Sequence, residues 1–211
     1  MENLMSEQEM NLKQKPDPAC ATVVAALEKD PFYRSICAGH RSDEHRRRAV
    51  LAKYFDCSIQ EGRDLGRCVH LPDRERGVSV WLLPQHPDVK SRAAHNKRAF
   101  LRETLESQGC ANYYRIVDFM HAKTATVVEA DAWYLSIVAV DPAAQGKGFG
   151  RKLLEPTLAE ADRIAATCYL ETFSPGNIGF YQRLGFSRRA QFSEPTVGAD
   201  YVVMVRPPVR S

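Results

Sequence analysis

Residues 133–151 constrain the fold of this chain more than any other stretch. They read Trp133-Tyr-Leu-Ser-Ile-Val-Ala-Val-Asp-Pro-Ala-Ala-Gln-Gly-Lys-Gly-Phe-Gly-Arg151. The run 133–140 is nearly continuous in apolar character, which predicts a strand buried on both faces. Asp141-Pro142 ends it, and a helical pattern follows over 149–166 with Leu153, Leu154, Leu158, Ala161 and Ile164/Ala165 inward. Pro156 should perturb the first turns of that helix. A buried strand therefore enters a tight glycine-rich turn that opens a helix. Gly146, Gly148 and Gly150 lack a Cβ, so the backbone there can come close to a ligand. The first N–H groups of a helix have no intrahelical partner. With the helix dipole they form an anion site suited to a pyrophosphate, and Lys147 and Arg151 add positive charge.

The rest of the chain supplies the setting. Its 211 residues are enough for one domain with a real core and few for two. Apolar residues make up 44% and charged residues 26%, as in ordinary globular proteins. A net charge of +3 is too mild for a nucleic-acid binder but suits an anionic ligand. Residues 1–8 are polar and expected to fray, and 9–15 read as a short first strand. A helix is expected over 21–29, ended by Asp30-Pro31, and another over 42–61, capped by Ser42. The runs 67–71 and 78–83 read as a hairpin. The span 84–131 reads as a helical insert, with one helix over 88–107 stopped by Gly109 and a second over 112–123. A strand at 168–173, a short helix at 178–184 and strands at 186–191 and 201–205 complete the order. This predicts a mixed α/β domain around one central sheet, spanning 9–211.

Six cysteines, none in C-x-x-C spacing, and no export signal point to reduced thiols in a cytoplasmic protein. No stretch approaches the length of a membrane span, and no residue spacing suggests a metal site.

Three phosphate-binding patterns compete for the glycine turn. A Walker A loop fails, because Asp141 stands at the first glycine position and Gly148 at the Ser/Thr position. A dinucleotide fingerprint from Gly146 fails at Arg151. The acyl-CoA loop Q/R-x-x-G-x-G/A is matched fully by Gln145-Gly146-Lys147-Gly148-Phe149-Gly150. Downstream, Asn177, Phe180-Tyr181 and Gly185-Phe186 fit N-x-x-[FY]-Y-x-x-x-G-F after a strand. With both motifs in order, the chain resembles the GNAT superfamily of N-acetyltransferases. Trp133-Tyr-Leu, Asp141-Pro142, Pro156, Leu170-Glu-Thr, the run from Pro175 to Asn177, and Val80-Trp81 ahead of Pro84 are similar to puromycin-type and related small-molecule N-acetyltransferases. The likeness runs from about Ala21 to Val205.

The resemblance implies a central twisted mixed sheet, flanked by helices, in which one parallel strand pair splays. It implies acetyl-CoA as acyl donor and no metal. The pantetheine arm would lie in the splay against Val138, Ala139 and Val140, held also by Asn177, with the pyrophosphate on Gln145, Gly146, Lys147, Gly148, Phe149, Gly150 and Arg151. A bulge N–H would stabilise the oxyanion. Tyr181 is the expected general acid for the departing thiolate. Glu171 is the expected base, or else a carboxylate that only attracts the acceptor cation; Asp118 and Asp131 are weaker candidates. Phe32, Tyr33, Trp81 and Glu171, with the helical insert, would line the acceptor site. A buried structural role is expected for Cys168. The partner implied is a small-molecule amine, acting on a monomer or homodimer without nucleic acid or membrane. Two rival readings remain open: a protein acetyltransferase acting on lysines or N-termini, and a non-catalytic acyl-CoA sensor. A longer acyl group than acetyl also remains open.

Overall fold

The computed structural model describes residues 15–209. The fraying segment 1–8 and the first strand expected at 9–15, Lys15 apart, lie outside the described residues. Six strands are present: β1 (Gly66–His70), β2 (Gly77–Leu82), β3 (Trp133–Val140), β4 (Cys168–Thr172), β5 (Ser187–Glu194) and β6 (Ala199–Arg206). They form one sheet in the order β1-β2-β3-β4-β6-β5. β3 and β4 are parallel, and the other neighbouring pairs are antiparallel. The helices are α1 (Cys20–Leu27), α2 (Pro31–Ile36), α3 (Glu44–Leu65), α4 (Pro87–Thr104), α5 (Ser107–Thr124), α6 (Phe149–Arg163) and α7 (Ile178–Gln182). The mixed α/β architecture expected from the sequence is the one observed. Among the described residues no helix is long and apolar enough to cross a membrane.

The two faces of the sheet carry different helices. On α3, Leu51, Tyr54, Phe55, Ser58, Ile59 and Gly62 are buried. They recur every three or four residues, so a single stripe packs on β1 and β2. α1 lies beside it and reaches β3. α6 covers the opposite face with Leu153, Leu154, Leu158 and Ala161.

Several boundaries differ from the sequence reading. Asp43, not Ser42, caps α3, accepting from the Arg46 N–H at 2.9 Å. Asp30-Pro31 ends α1 and also starts α2: proline fills the first helical turn, and the Asp30 carboxylate accepts from the Phe32 N–H at 2.9 Å. Gly109 stops nothing, since it lies inside α5. A Cβ there would meet the Ile36 carbonyl oxygen at 2.1 Å, so the glycine permits close packing of α5 on α2. The helix break falls instead at Leu105-Glu106, both extended. α6 runs through Pro156 and stops at Arg163. Ile164 is therefore 51% exposed, and Ala165 is exposed as well, rather than inward.

One irregularity shapes the middle of the sheet. Val80 pairs with Ile137 and Trp81 with Leu135, leaving Ser136 as an extra residue in β3. Such a bulge bends its strand and reverses the side-chain alternation beyond it. Trp133 and Leu135 before the bulge, and Val138 and Val140 after it, accordingly pack on the α6 side. Ile137 and Ala139 join the α1–α3 side. Pairing between β3 and β4 ends at Leu135–Leu170, immediately before the bulge.

The end of α6 contains a measurable strain. Ala165 adopts φ 57, and the Ala166 N–H donates to the Ala161 carbonyl at 2.8 Å. This is a helix C-terminus in which alanine occupies the left-handed position normally given to glycine. Left-handed backbone costs a non-glycine residue roughly 1–2 kcal/mol, partly offset by the unfolded-state entropy of glycine. Ala165→Gly should therefore stabilise the protein by about 1 kcal/mol, seen as a higher urea midpoint at unchanged m-value.

Candidate active site

The glycine turn leaves the end of β3 through a short 3₁₀ turn, Pro142–Ala144, fixed by the Asp141 carboxylate accepting from the Ala143 N–H at 2.9 Å. Gly146 and Gly148 sit at φ 78 and 80, and a Cβ on either would meet nothing within 4 Å. The backbone conformation thus demands glycine, and the space in front of the turn is open. Gly148 precedes α6 without any side-chain cap, so the first N–H groups of α6 are left for a ligand. Lys147 is exposed with its ammonium 3.3 Å from the Ala143 carbonyl. Arg151 is exposed and donates to Glu155 at 2.5 Å. Phe149 packs beside Leu71, Val140 and Leu153. These residues fit an anionic group such as a pyrophosphate.

Beside the turn lies a gap in the sheet. Past Leu170, Glu171 and Thr172 pair with Val203 and Val202 of β6. Past Leu135, β3 pairs with β2 alone. The β4-facing edge around Val138, Ala139 and Val140 is thereby unpaired within the sheet. One group on it is engaged: the Val140 carbonyl accepts from Gln145 Nε2 at 3.2 Å.

Glu171 stands one residue beyond the last β3–β4 pair. Thr124, the last residue of α5, donates its hydroxyl to Glu171 Oε1, and the Tyr134 hydroxyl donates to Oε2 at 3.2 Å. Tyr134 stacks on Tyr169 with ring centroids 4.8 Å apart. Burial pushes the Glu171 carboxyl above the ordinary glutamate range, and the hydrogen bonds from Thr124 and Tyr134 offset only part of that rise. Tyr201 is fully buried close to Thr124, Glu171 and Glu194. Its hydroxyl has no hydrogen-bond partner among the described residues.

Tyr181 lies on α7, 7% exposed, against Phe180 and Phe186. Burial first, and the nearby Asp30 carboxylate second, push its hydroxyl up, so it remains protonated. Tyr33 is common to both halves of the site, lying within electrostatic reach of Tyr181, Asp30 and Tyr134. Phe32 and Tyr33 belong to an aromatic wall with Tyr54, Phe55 and Tyr113, at centroid distances of 4.7–6.2 Å. Asn177 is exposed at the start of α7 and makes no side-chain cap, so a capping role does not account for it.

Trp81 does not join Phe32 and Tyr33. It is fully buried among Leu154, Leu158 and Leu170 on the α6 side, because alternation along β2 puts Val78 and Val80 toward α3 and Ser79 and Trp81 the other way. Asp118 and Asp131 are exposed. Cys168 is fully buried, and burial pushes its thiol up to about 12. Thr124, Tyr134, Tyr169 and Tyr201 escaped the sequence reading. Strand alternation carries a signal for one pair: Tyr169 and Glu171 are two residues apart and must share a face. Nothing local marks Thr124.

The open glycine turn, the splayed parallel pair, Glu171 and Tyr181 together form one candidate site. The Acetyltransferase (GNAT) domain family matches residues 106–188. An uncharacterized N-acetyltransferase of Schizosaccharomyces pombe is 26% identical over 173 residues, covering 80% of this chain and 69% of that protein. A crystal structure described as histone acetyltransferase HPA2 and related acetyltransferase, from Corynebacterium glutamicum, superposes with a TM-score of 0.58 at 22% identity over 98% of this chain and 95% of its own. Arylalkylamine N-acetyltransferase 2 from Aedes aegypti gives the same TM-score at 14% identity, over 98% and 97% of the two chains. Residues 106–188 match the GNAT acetyltransferase domain, and the relative and the shared fold support an acetyl-transferring enzyme of GNAT type.

The environment of Glu171 yields a direct expectation. Thr124→Val removes a hydrogen bond that favours the carboxylate and leaves its burial intact. The Glu171 carboxyl should then protonate at higher pH than in the unaltered protein, as read by carboxyl carbon NMR on glutamate-labelled protein. Thr124→Ser should restore the original midpoint.

Proposed function

We propose that this enzyme transfers an acetyl group from acetyl-CoA directly to a primary amine of a small molecule, both substrates being bound at once. The observation that carries this reading is the placement of Glu171 at the mouth of the β3–β4 gap, with Tyr33 linking its surroundings to Tyr181. Neighbours of this fold are described as acting on arylalkylamines, on agmatine and on histones, so the fold leaves the acceptor open. The aromatic wall of Phe32, Tyr33, Tyr54 and Tyr113, packed with Leu101 of α4 and Tyr114 of α5, favours a compact amine over a chain in an open groove.

In this reading the glycine turn, Gln145 to Arg151, holds the donor pyrophosphate, and the free edge of β3 around Val138 pairs with the pantetheine arm as a missing strand would. Asn177 steadies the same arm. Glu171 takes the proton from the ammonium acceptor, through water or directly. Its raised pKa suits a base that must also release the proton again. The amine nitrogen bonds to the acetyl carbon and the carbon–sulfur bond breaks. Backbone N–H groups at the Ser136 bulge stabilise the negative charge on the carbonyl oxygen. Tyr181, kept neutral by burial, delivers its proton to the leaving sulfur, and its phenolate is reprotonated by the second proton that the nitrogen sheds on becoming an amide, leaving the proton on Glu171 to pass to solvent. Two features support direct transfer without an acyl-cysteine. The Cys168 thiol on β4 is closed off and held protonated, and the fixed arrangement of the two protic groups favours positioning as the source of rate.

Two measurements test this. Release of free thiol from acetyl-CoA, followed against a panel of small amines and lysine peptides, should show turnover with amines and little with peptides. Tyr181→Phe should lower kcat by about 10²-fold or more with CoA affinity nearly unchanged, whereas an unchanged kcat removes Tyr181 as the acid. Separately, Gly148→Val should abolish CoA binding by calorimetry, because it forces a β-branched residue to φ 80 and fills the open space before α6. Normal CoA affinity in that variant would show that the phosphates bind elsewhere.

A further inference from the structure

Lys29, Arg34, Arg41 and Arg47 line one cleft of about 700 Å³. The cleft is walled by the end of α1, by α2, by the start of α3 and by the turn between β5 and β6, through Val197 and Ala199. Two acids also line it, Glu28 and Glu44, and both direct their carboxylates at Arg48, at 3.4 and 3.7 Å. No ion pair joins any of the four cations to a carboxylate among the described residues. Arg47 is instead anchored on the Arg41 carbonyl at 3.3 Å. The whole chain carries only +3, and the four cations, Arg48 and the two acids around this one concavity sum to +3 by themselves, a concentrated positive field. Their mutual repulsion is relieved by an anion, and guanidinium forks match carboxylate and phosphate oxygens in pairs.

The cleft abuts the acceptor side of the site. α2 turns Arg34 toward the cleft, while Phe32 and Tyr33 enter the aromatic wall. From Ala199, β6 leads to Tyr201 beside Glu171. A second cleft of about 560 Å³ shares Ala199 and reaches Phe173, two residues past Glu171. The glycine turn belongs to α6, on the other face, so this cleft does not duplicate the donor phosphate site. We propose that the Arg34–Arg41–Arg47 cleft binds an acidic group, a carboxylate or a phosphate, carried by the acceptor amine. The enzyme then selects amines with an anionic tail. This rests on the small-molecule acetyltransfer proposed above.

Matched amines decide it: a carboxylate-bearing and a phosphate-bearing amine, each against its uncharged amide or alcohol counterpart. At least one anionic member should exceed its neutral partner about 10-fold in kcat/KM, chiefly through KM, and which one does so identifies the oxyanion. The preference should shrink with added salt. Arg34→Gln/Arg47→Gln should bring the ratio close to one, while Arg163→Gln, at the far end of α6, should leave it intact. A ratio near one for both pairs in the unaltered enzyme overturns the proposal. A second readout needs no turnover. Inorganic phosphate should shift the side-chain NMR signals of Arg34, Arg41 and Arg47, and the double variant should lose the effect. If no amine accepts an acetyl group, the small-molecule reading fails and the phosphate titration alone judges the cleft; absence of any shift there overturns it.

Discussion

The loss of pairing between β3 and β4 after Leu135 and Leu170 is the constraint on which the rest of this structure turns. One additional residue, Ser136, is responsible. It interrupts β3 where pairing with β4 stops, and it inverts which side chains face α6. Without it, Val138 and Val140 would face α1 and α3, and Ile137 and Ala139 would face α6. The parallel pair would also continue, leaving no room between the strands. A single insertion therefore sets the core on both faces and opens the sheet at the carboxyl ends of its two parallel strands, where ligands of open α/β sheets bind.

The groups around that opening share one electrostatic condition. Glu171, Tyr33, Tyr134, Tyr169 and Tyr181 are all pushed toward their neutral forms, in each case chiefly by burial. For the phenols this fixes the proton in place at any physiological pH. For the carboxyl it brings protonation and deprotonation closer together in free energy. The hydrogen bonds from Thr124 and Tyr134 then decide where Glu171 settles and which way its oxygens point. Under the proposed reaction, the same burial would supply both an acid and a base.

Much of this was legible in the sequence. The bounds of β3 follow from its apolar run, and the glycine turn between β3 and α6 follows from Gln145 to Gly150, because both depend on local backbone demands. Glu171 is reached from its place after Leu170 on a strand and Tyr181 from the downstream motif; their roles belong to the proposed reaction. What escaped depends on contacts distant in sequence. Ser42 and Asp43 are both good caps, and nothing local chooses between them. Gly109 looks like a helix stop until the Ile36 carbonyl is seen against it. Thr124 meets Glu171 across 47 positions of chain. The resemblance implies Trp81 in the acceptor site, but the alternation of β2 against α6 determines its direction. The bulge at Ser136 leaves no mark in the composition of β3, since serine fits a strand as well as an irregularity.

Trp81 also explains why the two sides of the site stay separate. With Trp81, Trp133, Leu135 and Leu170 filling the α6 face behind the strands, the sheet is solid there. The aromatic wall of Tyr33, Tyr54 and Tyr113 fills the other face. The glycine turn belongs to the first side and the wall to the second. Under the proposed reaction, a donor anchored on the turn meets an amine held by the wall across the β3–β4 gap. Glu171 stands one residue beyond the last β3–β4 pair, and Tyr181 packs with Leu135 and Leu170 on the α6 side. A fold in which each substrate has its own face and the two meet through one opening has no structural need for a covalent carrier between them. The buried, protonated state of Cys168, the thiol nearest in sequence to Glu171 on β4, is what such a division of labour permits.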